Sequence, residues 1–477
     1  MITVIICDNM SLLEVSIMND SFKILASRQK IVSSLTEARM EAGISQQELA
    51  NRIGTHKPNI SRIESGQQNI SLDTMLKIAS ALNKEISVEL KDKPAPAVSR
   101  YSLRLYDEEL LTFSMEDAGL SGMKATLLSV NENRLQVFPL DLELTNEGIL
   151  SWLQKRTIPR NRAFVDEILK TLGLSINNTK GIIDVCKGLS LNDSYWIVPE
   201  GFDGKFTAFN LYENNFSSIL SLVAYTGIGH SKTIITSSPE LTTHGMLRKA
   251  WRHIDGKGIY LYKGGTEGAA NTGNEPYSEF YASQIAQQMG LHAVEYGLEK
   301  WKGILASTCP LFTDIDTAYI PIGRIVRTGG IQACLDYYAG ISAQALEEVK
   351  SMLVFDAVIY NEDRHFGNFG ILRDNHTGRV IGAAPVFDNG ISLFNYAMQD
   401  DIDNLDSYAQ TRANPYGIPY ESVCREVMGT RQRSQLRRLI SFHFVRHPSI
   451  NLPEERLIPI EKHIQKRARQ LLALPRR

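Results

Sequence analysis

The chain has 477 residues, 43% of them apolar and 22% charged, with a formal net charge of −2. That length exceeds one compact core and predicts roughly two to four domains, while the near-neutral balance excludes a global field toward nucleic acid, so any basic surface must be local. No run approaches the roughly 20 apolar residues of a membrane-spanning helix, so no membrane association is expected. The opening "MITVIICDNM" carries Asp8 and no cationic start, which argues against a signal peptide. The five cysteines are scattered, odd in number and free of C-x-x-C spacing, which argues against a disulfide framework or a zinc site and for a reducing, cytoplasmic setting.

Residues 1–25 show weak patterning and receive no fold. Residues 26–90 are dense in helix punctuation: Ser45 and Glu48 in S-x-x-E spacing predict a capping box, Pro58 suits a first helical turn, and Gly43, Gly54 and Gly66 mark helix ends. "SLDTMLKIASALN" predicts an amphipathic helix with Leu72, Met75, Leu76, Ile78, Ala79 and Leu82 on its apolar face. The stretch from "LTEARMEAGISQQELANRIG" through "SLDTMLKIASAL" resembles the Xre/Cro-type helix-turn-helix family of DNA-binding regulators. The resemblance implies that Lys57, Asn59, Ser61 and Arg62 face a double-stranded DNA operator and that Gln46 holds a phosphate, while Leu49, Ile53, Ile60 and Ile63 point inward. One such module reads a half-site, so operator binding implies a homodimer.

"KDKPAPAVSR" (91–100) has the prolines and small residues of an extended linker. Further on, "WRHIDGKGIYLYKGG" predicts a hairpin turning at 255–258, with Lys263 at the end of its second strand, where it could reach nucleotide phosphates. A carboxylate partner belongs on the next helix, "NEPYSEFYASQIAQQMG"; Glu279 is preferred to Glu275 because Ala282, Ile285, Ala286 and Met289 then form its buried face. Ahead of the hairpin, "TSSPELTTHGMLRK" predicts a phosphate-covering loop with a glycine at Gly245 and several hydroxyls.

"FDAVIYNEDRHFGNFGIL" (355–372) sets a dense polar cluster inside an apolar run. Buried polar groups without partners are costly, so the cluster needs a task. Asp363 and Asn368 stand in D-x-x-x-x-N spacing, the separation of a kinase catalytic loop, in which the Asp accepts the substrate hydroxyl proton and the Asn holds a metal. Asp388 in "PVFDNG" supplies a second carboxylate, and Asn368 with Asp388 gives the oxygen ligands that magnesium takes. The basic stretch "KHIQKRARQLLALPRR" predicts a last helix with a solvated cationic face over Ile464, Ala468, Leu471 and Leu472.

"YLYKGG", "NEPYSEFYASQIA", "NEDRHFGNFG" and "FDNG", in that order, resemble the HipA-like kinases, the toxin half of bacterial toxin-antitoxin pairs. The resemblance implies an α+β multidomain chain: a small all-α helix-turn-helix domain, then a two-lobed HipA/protein-kinase-like fold with a mixed, β-rich N-lobe and a mostly helical C-lobe. Residues 101–230 are expected to form a HipA N-terminal-like subdomain, 231–330 the kinase N-lobe and 331–477 the C-lobe. The implied cofactors are ATP and Mg2+, the implied acceptor an unidentified protein, and the implied setting a bacterial cytoplasm. Self-phosphorylation in the nucleotide loop would fall on Ser237, Ser238, Thr242 or Thr243. The expectation is therefore a serine/threonine kinase fused to an antitoxin-like DNA-binding module, acting as a toxin-antitoxin fusion or self-regulating repressor. The alternatives are a nucleotide-binding regulator without phosphotransfer and, since "DRHFGN" also resembles their loop, a phosphatidylinositol-type kinase.

Overall fold

The computed structural model describes residues 2–6, 31–64, 70–90, 98–117, 123–228, 238–269 and 271–475. Most of the 1–25 segment, linker residues 91–97 and Ser237 lie outside the described residues. The chain divides into two compact units, 1–98 with 116–122, and 99–115 with 123–477.

In the first unit, β1 (Ile2–Ile6), rich in β-branched residues, pairs in parallel with β2 (Ile86–Leu90). The 1–25 segment, given no fold from sequence, thus contributes a strand. Between the strands come helices α1 (31–41), α2 (Gln46–Arg52), α3 (Lys57–Glu64) and α4 (Leu72–Ala81). Ser45 caps α2 by accepting the Glu48 N–H at 3.1 Å, but the Glu48 carboxylate turns forward to Arg52 at 2.7 Å, so only half of the expected capping box forms. Gly54 supplies the left-handed turn (φ +72°) that sets α3 across α2. Leu35, Leu49, Ile60, Ile78 and Leu82 meet in the core. Leu72 and Leu76 do not join them: the arc through Met75, Ile78, Ala79 and Leu82 faces inward, and these two leucines, one turn apart, flank it at 53% and 45% exposure.

The second unit begins with β3 (Ser99–Leu105), which starts inside the expected linker, then β4 (Glu108–Asp117), β5 (Met123–Val130), α5 (Asn146–Gln154), α6 (Val165–Thr171), α7 (Thr179–Cys186), β6 (Tyr195–Pro199) and α8 (Ser218–Thr226). The sheet order is β5-β4-β3-β6, and its apolar face packs Leu103, Leu111, Phe113 and Ile197 with Trp152 of α5.

Next come β7 (Lys249–Ile254), β8 (Gly258–Lys263), α9 (Glu275–Met289), β9 (Gly297–Trp301) and β10 (Ile304–Pro310), with sheet order β7-β8-β10-β9. β7 and β8 form the hairpin expected from the glycine-rich turn, and α9 starts with Pro276 in its first turn and stops at left-handed Gly290 (φ +73°). β11 (Thr317–Pro321) leads to α10 (Gly330–Ile341) and α11 (Ala343–Ile359), followed by the β12 (Gly370–Asp374) and β13 (Val380–Ala383) hairpin; the order is β11-β12-β13. The remainder is helical: α12 (Gln399–Asp403), α13 (Leu405–Gln410), α14 (Tyr420–Val427), α15 (Thr430–Arg437) and α16 (Glu454–Leu472).

Apart from Asp356, the last turns of α11 are apolar on every side because they are enclosed: Val354, Phe355, Val358 and Ile359 are fully buried at the centre of the largest core cluster. Ile464, Ala468 and Leu471 of α16 pack into the same core. The cationic face of α16 is only partly solvated, since Arg467 is buried, donating to the Ala357 carbonyl at 3.0 Å and pairing with Glu421. Among the described residues, Cys186, Cys309, Cys334 and Cys424 are buried thiols outside any disulfide, and no helix is long and apolar enough to cross a membrane.

Candidate active site

Lys263 ends β8 facing α9, and its ammonium donates to two carboxylates: Glu279 of α9, and Asp388 at 2.6 Å. β10 lies beside β8 with Ser307 opposite Lys263, and the Ser307 hydroxyl donates to the other Glu279 oxygen. Glu279 is thus satisfied on both oxygens at 1% exposure, as a buried carboxylate must be. Glu275, the other carboxylate of this helix, turns away to the Thr266 hydroxyl at 2.6 Å and the Tyr396 hydroxyl at 3.0 Å. Burial alone would depress the Lys263 pKa, but Asp388 and Glu279 hold it above its ordinary value, so Lys263 stays charged. Burial would raise Asp388, yet Lys263, Lys249 and Arg364 pull it well below the usual carboxylate range. Asp388 adopts a left-handed backbone (φ +58°), and its N–H donates to the Tyr296 hydroxyl at 3.1 Å.

The polar cluster after α11 is organised by Arg364, which is fully buried. Its guanidinium forks onto Asp356 of α11, with Nε to Oδ2 and Nη2 to Oδ1 both at 3.0 Å. Nη1 donates to the Asn368 carbonyl at 3.0 Å and to the Phe387 carbonyl, and Nη2 to the Asn389 side-chain oxygen. One arginine therefore clamps the loop bearing Asp363 and Asn368 to the loop bearing Asp388. The Asn368 amide donates to the Asp363 carbonyl at 2.9 Å and leans toward its carboxylate at 3.5 Å, leaving the amide oxygen as the atom a cation would meet. Half-buried Asp363 is raised above the ordinary aspartate range by its burial, against the pull of His365, with Asp388 adding to the rise. His365 is exposed, and its Nδ1 accepts the Gly367 N–H at 2.9 Å.

Asn368 and Asp388 present oxygen donors only, the chemistry of a hard cation such as magnesium. Among the described residues no group of three or more His, Cys, Asp or Glu side chains could cage a metal by itself. The donor set fits an ion that takes its other ligands from substrate phosphates and water.

The loop before β7 is braced from within by a pair that sequence reading missed. Arg162 and Glu240, both fully buried, form an ion pair, and the Arg162 guanidinium also donates to the carbonyls of Glu240 (2.5 Å), Thr243 (3.2 Å) and Lys249 (3.1 Å). Ser238 and Thr242 are buried, with the Thr242 hydroxyl donating to the Leu189 carbonyl at 2.8 Å; the half-buried Thr243 hydroxyl donates to the Pro239 carbonyl at 2.7 Å. Gly245 is left-handed (φ +98°) and lies against the Lys249 ammonium. Lys249 was also missed, although counting outward from the hairpin turn places it opposite Lys263.

On the first unit, Lys57, Ser61 and Arg62 stand exposed on α3. Asn59 is half-buried, donating to Thr55 at 3.0 Å and accepting from Arg62 at 2.8 Å. The Gln46 amide, expected to hold a phosphate, donates to Glu64 at 2.8 Å within the chain, beside the Arg39–Glu64 ion pair. Sequence could not show this tether, because Glu64 is a full helix away.

Residues 35–88 match the family model described as helix-turn-helix, and this part of the chain is a helix-turn-helix domain. Over 61 residues (13% of this chain and 62% of the relative) the chain is 39% identical to an uncharacterized HTH-type transcriptional regulator of Haemophilus influenzae. Over 170 residues (32% of this chain and 51% of the relative) it is 27% identical to the serine/threonine-protein kinase CtkA of Helicobacter pylori. The matches thus span about half to three fifths of these curated relatives. Among solved structures, the Shewanella oneidensis MR-1 toxin-antitoxin complex of HipA, HipB and operator DNA aligns over 79% of this chain and all of that chain, at 14% identity and a TM-score of 0.48.

Proposed function

We propose that the second unit is an ATP- and Mg2+-dependent protein kinase of HipA type that phosphorylates serine or threonine hydroxyls, its own among them. The helix-turn-helix domain binds a DNA operator as a homodimer and keeps the kinase under the control of its own promoter. The observation that carries the reading is the junction at Asp388: its carboxylate meets Lys263, already paired to Glu279, and its loop is clamped by Arg364 to the loop of Asp363 and Asn368. The similarity to a serine/threonine kinase supports it.

In this reading Lys263 neutralises phosphate oxygens and Glu279 fixes its position. Asn368 and Asp388 supply oxygen ligands for a magnesium ion, which when bound neutralises phosphate charge. Asp363 orients the attacking hydroxyl and accepts its proton as the oxygen–phosphorus bond forms, and ADP leaves. Most of the rate gain comes from positioning and charge neutralisation, as is general for phosphoryl transfer. Burial raises the Asp363 pKa above that of an ordinary aspartate, which makes its carboxylate a stronger proton acceptor.

The test is incorporation of labelled γ-phosphate from ATP with Mg2+ by the purified full chain, with products located by mass spectrometry. Phosphoserine or phosphothreonine that disappears in Asp363→Ala is the expected result. ATP binding without transfer to the chain or to added protein, under any metal condition, would replace the kinase with a nucleotide-responsive regulator.

A further inference from the structure

We propose that a groove between α16 and the α13–α14 connection is a second ligand site, which takes a small organic anion with an apolar body and is coupled to the loop bearing Asp363. Only its effect on phosphate transfer rests on the kinase reading. His463, Lys466, Arg467, Gln470 and Leu471 recur at helical spacing on one face of α16 and form one wall. Arg412, Ile418 and Tyr420 belong to the other, and Tyr360, the residue that ends α11, lines the groove as well. The groove holds about 810 Å3, within the roughly 300–1,000 Å3 of small-molecule sites.

The chemistry of the ligand follows from Arg467, which is 4% exposed. Its Nε donates to the Ala357 carbonyl at 3.0 Å and its Nη1 to Glu421, and the guanidinium lies over the Tyr360 ring, 4.7 Å from the centre. Nη2 is buried and has no hydrogen-bond partner among the described residues. A buried cationic donor without an acceptor is costly, and an anion entering the groove that Arg467 lines supplies one. Lys466 brings a second, half-exposed cation. The carboxylates now paired with these two, Glu421 and Asp406, are 40% and 61% exposed, and such pairs hold weakly, so an anion can take their place. His463 adds no charge near neutral pH, because burial lowers its pKa to about 4 against the pull of Asp406. Ala409, Ile418 and Leu471 offer contacts to an apolar body.

The α13–α14 connection also grips the Asp363 loop. Arg412 donates to the Glu362 carboxylate at 3.1 Å, the Tyr416 hydroxyl to the Arg364 carbonyl at 2.6 Å and the Tyr420 hydroxyl to the Asn361 carbonyl at 2.8 Å. Asn361, Glu362 and Arg364 flank Asp363 on both sides, so a ligand that steadies this wall steadies Asp363.

The full chain is titrated with 8-anilinonaphthalene-1-sulfonate, an anion on aromatic rings, and with N-phenyl-1-naphthylamine, the same rings without the charge. Mg-ADP is present throughout to keep both probes from the nucleotide site. Amide hydrogen exchange over residues 361–368 is followed with and without the sulfonate. Ile418→Asp places a carboxylate in the groove, and Lys466→Gln removes a cation from it; both side chains are exposed, so neither change disturbs the core. The wild type should bind the sulfonate roughly tenfold or more tighter than the amine, with a loss of about tenfold in Ile418→Asp and about threefold in Lys466→Gln. The sulfonate should slow exchange over 361–368 in the wild type, and Ile418→Asp should abolish that effect. Wild-type sulfonate affinity in both variants overturns the groove as the site, and so does equal affinity of the wild type for the two probes. Binding that the variants weaken but that leaves exchange over 361–368 unmoved overturns the coupling. Neither readout uses phosphate transfer, so failure of the groove and failure of the kinase reading are told apart.

Discussion

Arg364→Met tests the clamp that joins the two loops of the site. The substitution keeps an apolar stem of similar length and removes the donors that hold Asp356, the Asn368 and Phe387 carbonyls, and Asn389. Its largest effect falls on Asp356, which is 4% exposed and whose charge is answered by Arg364. Leaving one partner of a buried ion pair alone costs about 3–5 kcal/mol. Burial already raises the Asp356 pKa despite Arg364, and without the guanidinium it rises further. An acid with a raised folded-state pKa binds more protons folded than unfolded, so stability falls as pH rises from the unfolded pKa through the folded one. The variant should therefore lose less at pH 5 than at pH 8, and adding Asp356→Asn should remove that pH dependence and recover part of the loss. Urea unfolding followed by tryptophan fluorescence reads the right unit, because all four tryptophans, Trp152, Trp196, Trp251 and Trp301, belong to it. A loss of less than about 1 kcal/mol at pH 8 would refute the clamp as the organiser of these loops.

Three further outcomes are expected. The rate of phosphate transfer should fall as pH drops through the raised Asp363 pKa, because protonation removes the acceptor while Lys263 and Asp388 keep their charges; a rate that holds down to the ordinary aspartate value of 3.8 would contradict the assignment. Lys57→Ala, at an exposed position of α3, should weaken binding to DNA upstream of the coding sequence and lower the salt slope by roughly 0.9 if it meets a phosphate; an unchanged slope argues against that contact. Glu240→Ala leaves Arg162 buried without its carboxylate and should destabilise the second unit by about 3–5 kcal/mol, measured by the same fluorescence assay. A wild-type urea midpoint would show that the pair does not brace the loop.

The parts of the fold legible in the sequence are those set by local pattern. The β7–β8 hairpin follows from its turn residues, α9 from its proline start, glycine stop and apolar period, and α2 from Ser45. The Asp363–Asn368 spacing was readable because it lies within one loop. What escaped was long-range pairing of polar side chains. Arg162 meets Glu240 78 positions away, and Gln46 meets Glu64 18 positions away; neither separation has a period. Arg364 had a signal, a guanidinium inside an apolar run, but its true partner, Asp356, lies back in α11 rather than at neighbouring Asp363. Periodicity also misplaced Leu72 and Leu76 and treated Arg467 as solvated, since hydropathy does not reveal which edge of an amphipathic arc a neighbour covers.

The central claim, that this junction transfers phosphate with Asp363 serving chemistry and Asp388 serving nucleotide-metal binding, is tested most directly by measuring Mg-ATP affinity and phosphate transfer in parallel on Asp363→Ala and Asp388→Ala. Asp363→Ala should bind Mg-ATP within about threefold of wild type and lose roughly 10²–10⁴-fold in transfer rate. Asp388→Ala should lose both transfer and the magnesium dependence of ATP binding. Transfer at the wild-type rate by Asp363→Ala would contradict the account.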